Sequence, residues 1–135
     1  MKTPLAHARE WMQTAQPNLR MAELDLPRVR CFSLTMRDCH ETVWAALKAL
    51  LALDDVRYPP HRRLTELLDL QVRERVAAPL RDAREVLLAL HPWAHDVEVP
   101  DEEPSEEEAQ AGLETARRAY EVARGEVGEE SSCAL

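Results

Sequence analysis

Val29, Phe32, Met36, Cys39, Val43, Ala46, Leu50 and Leu53 recur at alternating intervals of three and four residues. An α-helix returns a chain to the same side at that period, so residues 27–53 are expected to form one helix with a continuous apolar seam. Such a helix would be roughly 40 Å long and can bury its seam only against several other helices. This limits the chain to a helical bundle before any other segment is read. The composition agrees: 45% of the 135 residues are hydrophobic, but only six are aromatic and three are glycine, with Ala, Leu, Glu and Arg dominant.

The flanking segments carry the same period. Leu5, Ala8, Met12, Ala15 and Leu19 stripe a first helix over 5–24. Pro17 should kink or divide it, because proline removes one ladder hydrogen bond and clashes with the preceding turn. Pro27 suits the first turn of the long helix. A shorter helix is expected at about 61–71, and another at about 77–91 with Pro79 in its first turn and Leu80, Ala83, Leu87 and Leu90 on one face. Residues 96–104 form an acidic, proline-bounded loop, after which Ser105 and Glu108 make an S-x-x-E capping box. Ala109, Leu113, Ala116, Tyr120 and Ala123 stripe the last helix. Beyond Arg124 the periodicity ends, so 1–124 is expected to be the folded domain and 125–135 a disordered acidic tail. The expected fold is all-α: an antiparallel up-and-down bundle of about five helices with a four-helix-bundle-like core.

The net charge of −8 is unevenly spread. Residues 96–135 hold 13 acids against 3 Arg, whereas 1–95 hold 14 Lys/Arg against 12 acids. The body of the chain is therefore close to neutral, which admits a nucleotide binder but lacks the basic excess of a dedicated duplex-binding domain. The longest uncharged run, "VLLALHPWAH" (86–95), is about half of a membrane span, so no membrane is expected. Cys31 and Cys39 lie eight residues apart on one expected helix, about 12 Å in rise, too far to pair. Reduced thiols suit a cytoplasmic protein.

The stretch "DDVRYPPHRRLTELLDL" (54–70) places His61, Arg62 and Arg63 where a helix should begin. That end of a helix favours anions, so three potential cations there need an explanation. One is a phosphate site, since guanidinium binds phosphate oxygens in bidentate fashion; Lys48, Arg57 and Tyr58 are near enough in sequence to add charge and a stacking face. The other is neutralisation by Asp54, Asp55 or the acidic 101–108 loop, a kind of surface pairing worth about 0–1 kcal/mol. His91, His95 and Asp96 in "HPWAHD" have metal-like spacing, but Pro92 interrupts the helix and no fourth ligand follows, so no metal is expected. All three glycines (112, 125 and 128) fall late in the chain, which leaves no glycine-rich phosphate loop, and no cofactor is expected.

Four segments together resemble one family. "HAREWMQTAQPNLRMA" (7–22), "CHETVWAALKALLAL" (39–53), "RYPPHRRLTELLDL" (57–70) and "VPDEEPSEEEAQAGLETARRAYEVAR" (99–124) are similar, in order and spacing, to the helices and turns of HEPN domains, the higher eukaryote and prokaryote nucleotide-binding group. The sequence departs from the family pattern at Trp44-Ala45, where Glu-Lys is usual. It departs again at Arg62-Arg63 in place of His-Asp, and at Glu98-Val99 in place of Arg-Tyr. The resemblance implies a nucleotide-binding protein that pairs with a minimal nucleotidyltransferase, as in a toxin–antitoxin-type system. It also implies an alternative, a metal-independent ribonuclease marked by Arg, four to six residues, then His; Arg84 and His91 fit that pattern.

The sequence therefore favours a homodimeric binding module without chemistry of its own. It would engage nucleotide or RNA phosphate, or a nucleotidyltransferase partner, through Lys48, Arg57, Tyr58, His61, Arg62 and Arg63. The rivals are a ribonuclease using Arg84 and His91, and a purely structural bundle whose acidic loop docks on a basic partner.

Overall fold

The computed structural model describes residues 2–57, 63–94 and 97–133, the last five as backbone only. These residues form six α-helices: α1 (Pro4–Leu24), α2 (Phe32–Leu53), α3 (Leu64–Asp69), α4 (Glu74–Arg81), α5 (Arg84–Leu90) and α6 (Glu106–Cys133). The fold is an all-α bundle. The three long helices pack on one another, with α2 central between α1 and α6, and α3, α4 and α5 close the remaining side. Tyr58, His61, Arg62, His95 and Asp96, all named above, lie outside the described residues.

Thr3 caps α1 by accepting from the Ala6 amide at 3.1 Å, and Pro4 fills the first helical position. Pro17 does not divide this helix. The Asn18 side-chain amide donates to the Thr14 carbonyl at 2.9 Å, one turn back, beside the position the proline disrupts. Pro27 also departs from expectation. It sits in a π-helical turn, Asp25–Val29, that prolongs α1 rather than opening α2. The break comes at Arg30, whose φ of 59° is left-handed, a conformation that costs a non-glycine residue roughly 1 kcal/mol. Arg30 is held there by Glu106 at 2.7 Å and by the Phe32 ring at 5.3 Å. The spine is consequently 22 residues long, about 33 Å. Val29 is 58% exposed and leaves the seam, while Met36, Cys39, Val43, Ala46 and Leu50 are buried as the period requires.

No side chain of the local sequence caps α2. The acidic loop does so from a distance: Glu103 accepts from the Ser33 amide at 3.1 Å and from its hydroxyl at 3.3 Å. The expected 77–91 helix is two helices, α4 and α5, separated at Asp82 and Ala83, with Pro79 inside the first. His91–Trp93 then adds one 3-10 turn.

The capping box at the start of α6 is reciprocal, with the Glu108 amide on Ser105 Oγ at 3.1 Å and the Ser105 amide on Glu108 Oε1 at 3.3 Å. The helix does not end at Arg124 but runs to Cys133. Burial explains the extension, because Val127 packs with Ala8 and Ala49, and Glu126 is buried beside it. A Cβ built at Gly125 or Gly128 meets nothing within 4 Å. Gly125→Ala with Gly128→Ala should therefore stabilise the protein by about 1–2 kcal/mol in chemical denaturation, through helix propensity alone. Gly112 differs, since its Cβ would meet Met36 Sδ at 3.3 Å where α6 crosses α2.

Candidate functional site

The turn after α2 is shaped by backbone hydrogen bonds. The Val56 amide reaches back to the Leu51 carbonyl at 2.9 Å and the Asp55 amide to Ala52 at 3.1 Å, with Asp55 left-handed at φ 53°. This is a Schellman ending in which Asp55 takes the place usual for glycine. Val56 packs against the core, and Arg57 follows it out into solvent. Arg63 is the exposed N-cap residue of α3.

The cations therefore precede the helix rather than occupy its first turn. That turn carries Glu66, as the helix dipole favours. With only six residues in α3, the dipole itself offers little to an anion.

Among the described residues, Arg57 and Arg63 make no ion pair, and the carboxylates that might have neutralised them are mostly engaged elsewhere. Arg73 Nε holds both oxygens of Asp54, at 2.9 and 3.1 Å. Glu106 holds Arg30, and Glu103 caps Ser33. Arg73 also approaches Glu126 at 3.7 Å, and Glu126 binds Arg75 at 2.6 and 3.0 Å. This cluster ties the end of α2 and the start of α4 to the last third of α6.

The two rival sites of the sequence meet in space. Arg63 and His91 line one cavity of about 150 Å³, together with Leu64, Thr65, Leu87 and Leu88. Arg84 is drawn elsewhere, onto Asp69 of α3 at 3.0 and 3.5 Å. The Arg84–His91 pair read from spacing thus has its arginine bound to a carboxylate, while His91 adjoins a different arginine.

Lys48 has another setting. It is only 9% exposed, and its Nζ lies 3.6 Å from the Trp44 ring centroid and 4.7 Å from that of Trp11. Burial pulls its pKa down while Glu41 pushes it up. Two aromatic faces on a desolvated ammonium are worth about 2 kcal/mol, so Lys48 acts as a clamp between α1 and α2 rather than as one of the turn's exposed cations. The two tryptophans meet edge to face at 5.5 Å. His40 and Glu41, both on α2, pair with each other at 3.2 Å.

A larger cavity of about 650 Å³ lies between the end of α1 and the first half of α6. Its arginines are already matched, Arg30 to Glu106 and Arg117 to Glu23 at 3.1 Å, and Glu114 adds a third acid. Those three carboxylates disfavour phosphate.

Asp38, on α2, has its pKa raised to about 7, by burial first and then by a hydrogen bond with Asp25 and the nearby charge of Asp25 and Glu41, Arg37 opposing. A proton on Asp38 lets one carboxyl donate to the other. The stabilisation is complete below the ordinary carboxyl value of 3.8 and is lost as pH rises towards 7. Relative to Asp38→Asn, the wild-type protein should therefore lose thermal stability between about pH 4 and about pH 7, with the variant the more stable at the upper end. The neighbouring Cys39 thiol is pushed up to about 12, mainly by burial, which leaves it unreactive.

Sequence reasoning missed Thr65, the Asp25–Asp38 pair and the Arg73–Glu126 cluster. A threonine within "RRLTELL" beside the basic run was the available sign for the first, whereas the other two pair residues too distant in sequence to suggest each other.

The HEPN domain profile matches residues 8–126, which include every helix core described above. No curated protein and no solved structure gives a match. With a family match spanning nearly nine-tenths of its length, the chain belongs to the HEPN domain family.

Proposed function

We propose that this protein is a binding module for nucleotide or RNA phosphate, performing no chemistry of its own, with the turn from Arg57 to Arg63 as its site. The observation that carries this reading is the pair of exposed guanidiniums, Arg57 and Arg63, that make no ion pair among the described residues, while Asp54, Glu103 and Glu106 are bound by other groups. His61, Arg62 and Tyr58 belong to the same proposed site by sequence. Family membership, which generally goes with nucleotide binding or ribonuclease activity, supports it.

The partner we infer is a minimal nucleotidyltransferase protein, with the two forming a toxin–antitoxin-type pair in the cytoplasm. No helix among the described residues is long and apolar enough to cross a membrane. Assembly as a homodimer is supported by exposed apolar side chains around the α1–α2 connection, Met21 (50%), Leu24, Val29 and Leu34 (47%). The ribonuclease alternative is weakened by the Arg84–Asp69 ion pair, and the acidic-docking alternative by the use of Glu103 and Glu106 within the chain.

A thermal-shift titration with ATP, GTP, AMP and short RNA at low salt tests the proposal. A ligand at one hundred times its dissociation constant adds about 2.7 kcal/mol, a rise of several degrees. No rise with any of the four refutes it.

A further inference from the structure

The cavity shared by Arg63 and His91 differs from the rest of the turn in being walled. Leu64 and Leu87 are each 1% exposed, and Leu88 forms part of the rim. Its polar members are a guanidinium, the hydroxyl of the largely buried Thr65 and an imidazole, all of which can donate hydrogen bonds. Among the described residues none that lines it is a carboxylate, in contrast to the three in the larger cavity.

We propose that this cavity receives the terminal phosphoryl group of a phosphate monoester, whether a nucleoside monophosphate or the phosphorylated end of an RNA chain. The inference rests on the reading of the 57–63 turn as phosphate-binding, and adds which phosphate is chosen. Size is the first argument. A volume of about 150 Å³ is roughly that of five waters, enough for a tetrahedral phosphoryl group with a water or two, and well short of a pocket that encloses a nucleoside. A phosphodiester carries a sugar on both sides, and the cavity cannot accept two. A monoester has one substituent, which can leave through the mouth towards solvent.

Charge is the second argument. A monoester bears about −1.5 to −2 at pH 7, against −1 for a diester, and so gains more from the Arg63 guanidinium. Arg63 contacts the group inside the cavity, and Thr65 and His91 donate to its remaining oxygens. The Arg63–His91 juxtaposition thereby selects an end of a chain over its interior.

The test is calorimetric titration of the full chain with AMP, with a short oligoribonucleotide bearing a terminal phosphate, and with the same oligonucleotide ending in hydroxyl groups. The wild-type protein should bind phosphate-bearing ligands about tenfold or more tighter than the hydroxyl-ended one. Thr65→Val and His91→Leu should each erase most of that preference while leaving the affinity for the hydroxyl-ended oligonucleotide unchanged. Arg63→Gln, at an exposed position, should weaken all three, and circular dichroism checks that each variant folds. Preference shown by AMP alone assigns the cavity to free mononucleotide; preference shared by AMP and the phosphorylated oligonucleotide assigns it to RNA ends as well. Equal binding of both oligonucleotides, with AMP no tighter, overturns the terminal-phosphate inference while sparing the phosphate-binding turn. Absence of binding by all three overturns both.

Discussion

Arg57→Glu combined with Arg63→Glu should abolish nucleotide-induced thermal stabilisation and leave the midpoint of the unliganded protein almost unchanged. Both side chains are exposed and make no ion pair among the described residues, so their loss removes no packing and strands no buried charge. Substitutions of that kind usually alter stability by about 0.5 kcal/mol or less. Binding is another matter. A hydrogen bond to a charged group is worth about 1.5–3 kcal/mol, and each reversal adds repulsion of the phosphate to the lost contact, so affinity should fall roughly a hundredfold or more. Arg30→Glu with Arg117→Glu, in the larger cavity, should leave the response to nucleotide unchanged. Equal responses of the wild type and the Arg57/Arg63 variant would remove the turn from consideration.

Glu126→Ala should produce the largest loss of stability among single polar substitutions described above. The carboxylate is 8% exposed, takes two hydrogen bonds from Arg75 and lies within reach of Arg73. Removing one member of a buried pair costs more than the pair contributes, because the partner keeps its desolvation penalty. Arg75 is 67% exposed and can recover water, and Arg73 retains Asp54, so the cost should fall at about 2–3 kcal/mol rather than at the upper end for buried pairs. In a domain this size that lowers the melting midpoint by about 10 °C. The same variant loosens the anchor at the end of α2, and nucleotide affinity should weaken several-fold. Glu126→Gln, which keeps the shape and one acceptor, should lie between. A loss below about 0.5 kcal/mol would show that the cluster is not a tie between α2, α4 and α6.

The main seams were legible because burial acts on side-chain period. Met36, Cys39, Val43, Ala46 and Leu50 could be assigned from spacing, as could the Ser105–Glu108 box, where all the chemistry is local. The breaks were not legible. Arg30 takes a left-handed conformation because Glu106, seventy-six residues away, and the Phe32 ring hold it, and nothing around Pro27 announces that. The apolar period lapses after Arg124, yet Glu126 and Val127 find partners on other helices that outweigh the cost of Gly125 and Gly128. At the site, the exposed arginines were visible in the sequence. Their meeting with His91 was not, because it depends on how the short α3 and α5 lie against each other. Lys48 shows the converse: close to the turn in sequence, it is turned onto two tryptophans by tertiary packing.

The most direct measurement is a titration of the isotopically labelled full chain with AMP at low salt, followed by amide chemical shifts. Binding at the turn predicts saturable changes centred on Arg57, Arg63, Thr65 and His91, with the residues around Arg30 and Arg117 unmoved. Saturable changes centred on Arg30 and Arg117, or no changes at millimolar nucleotide, would contradict it.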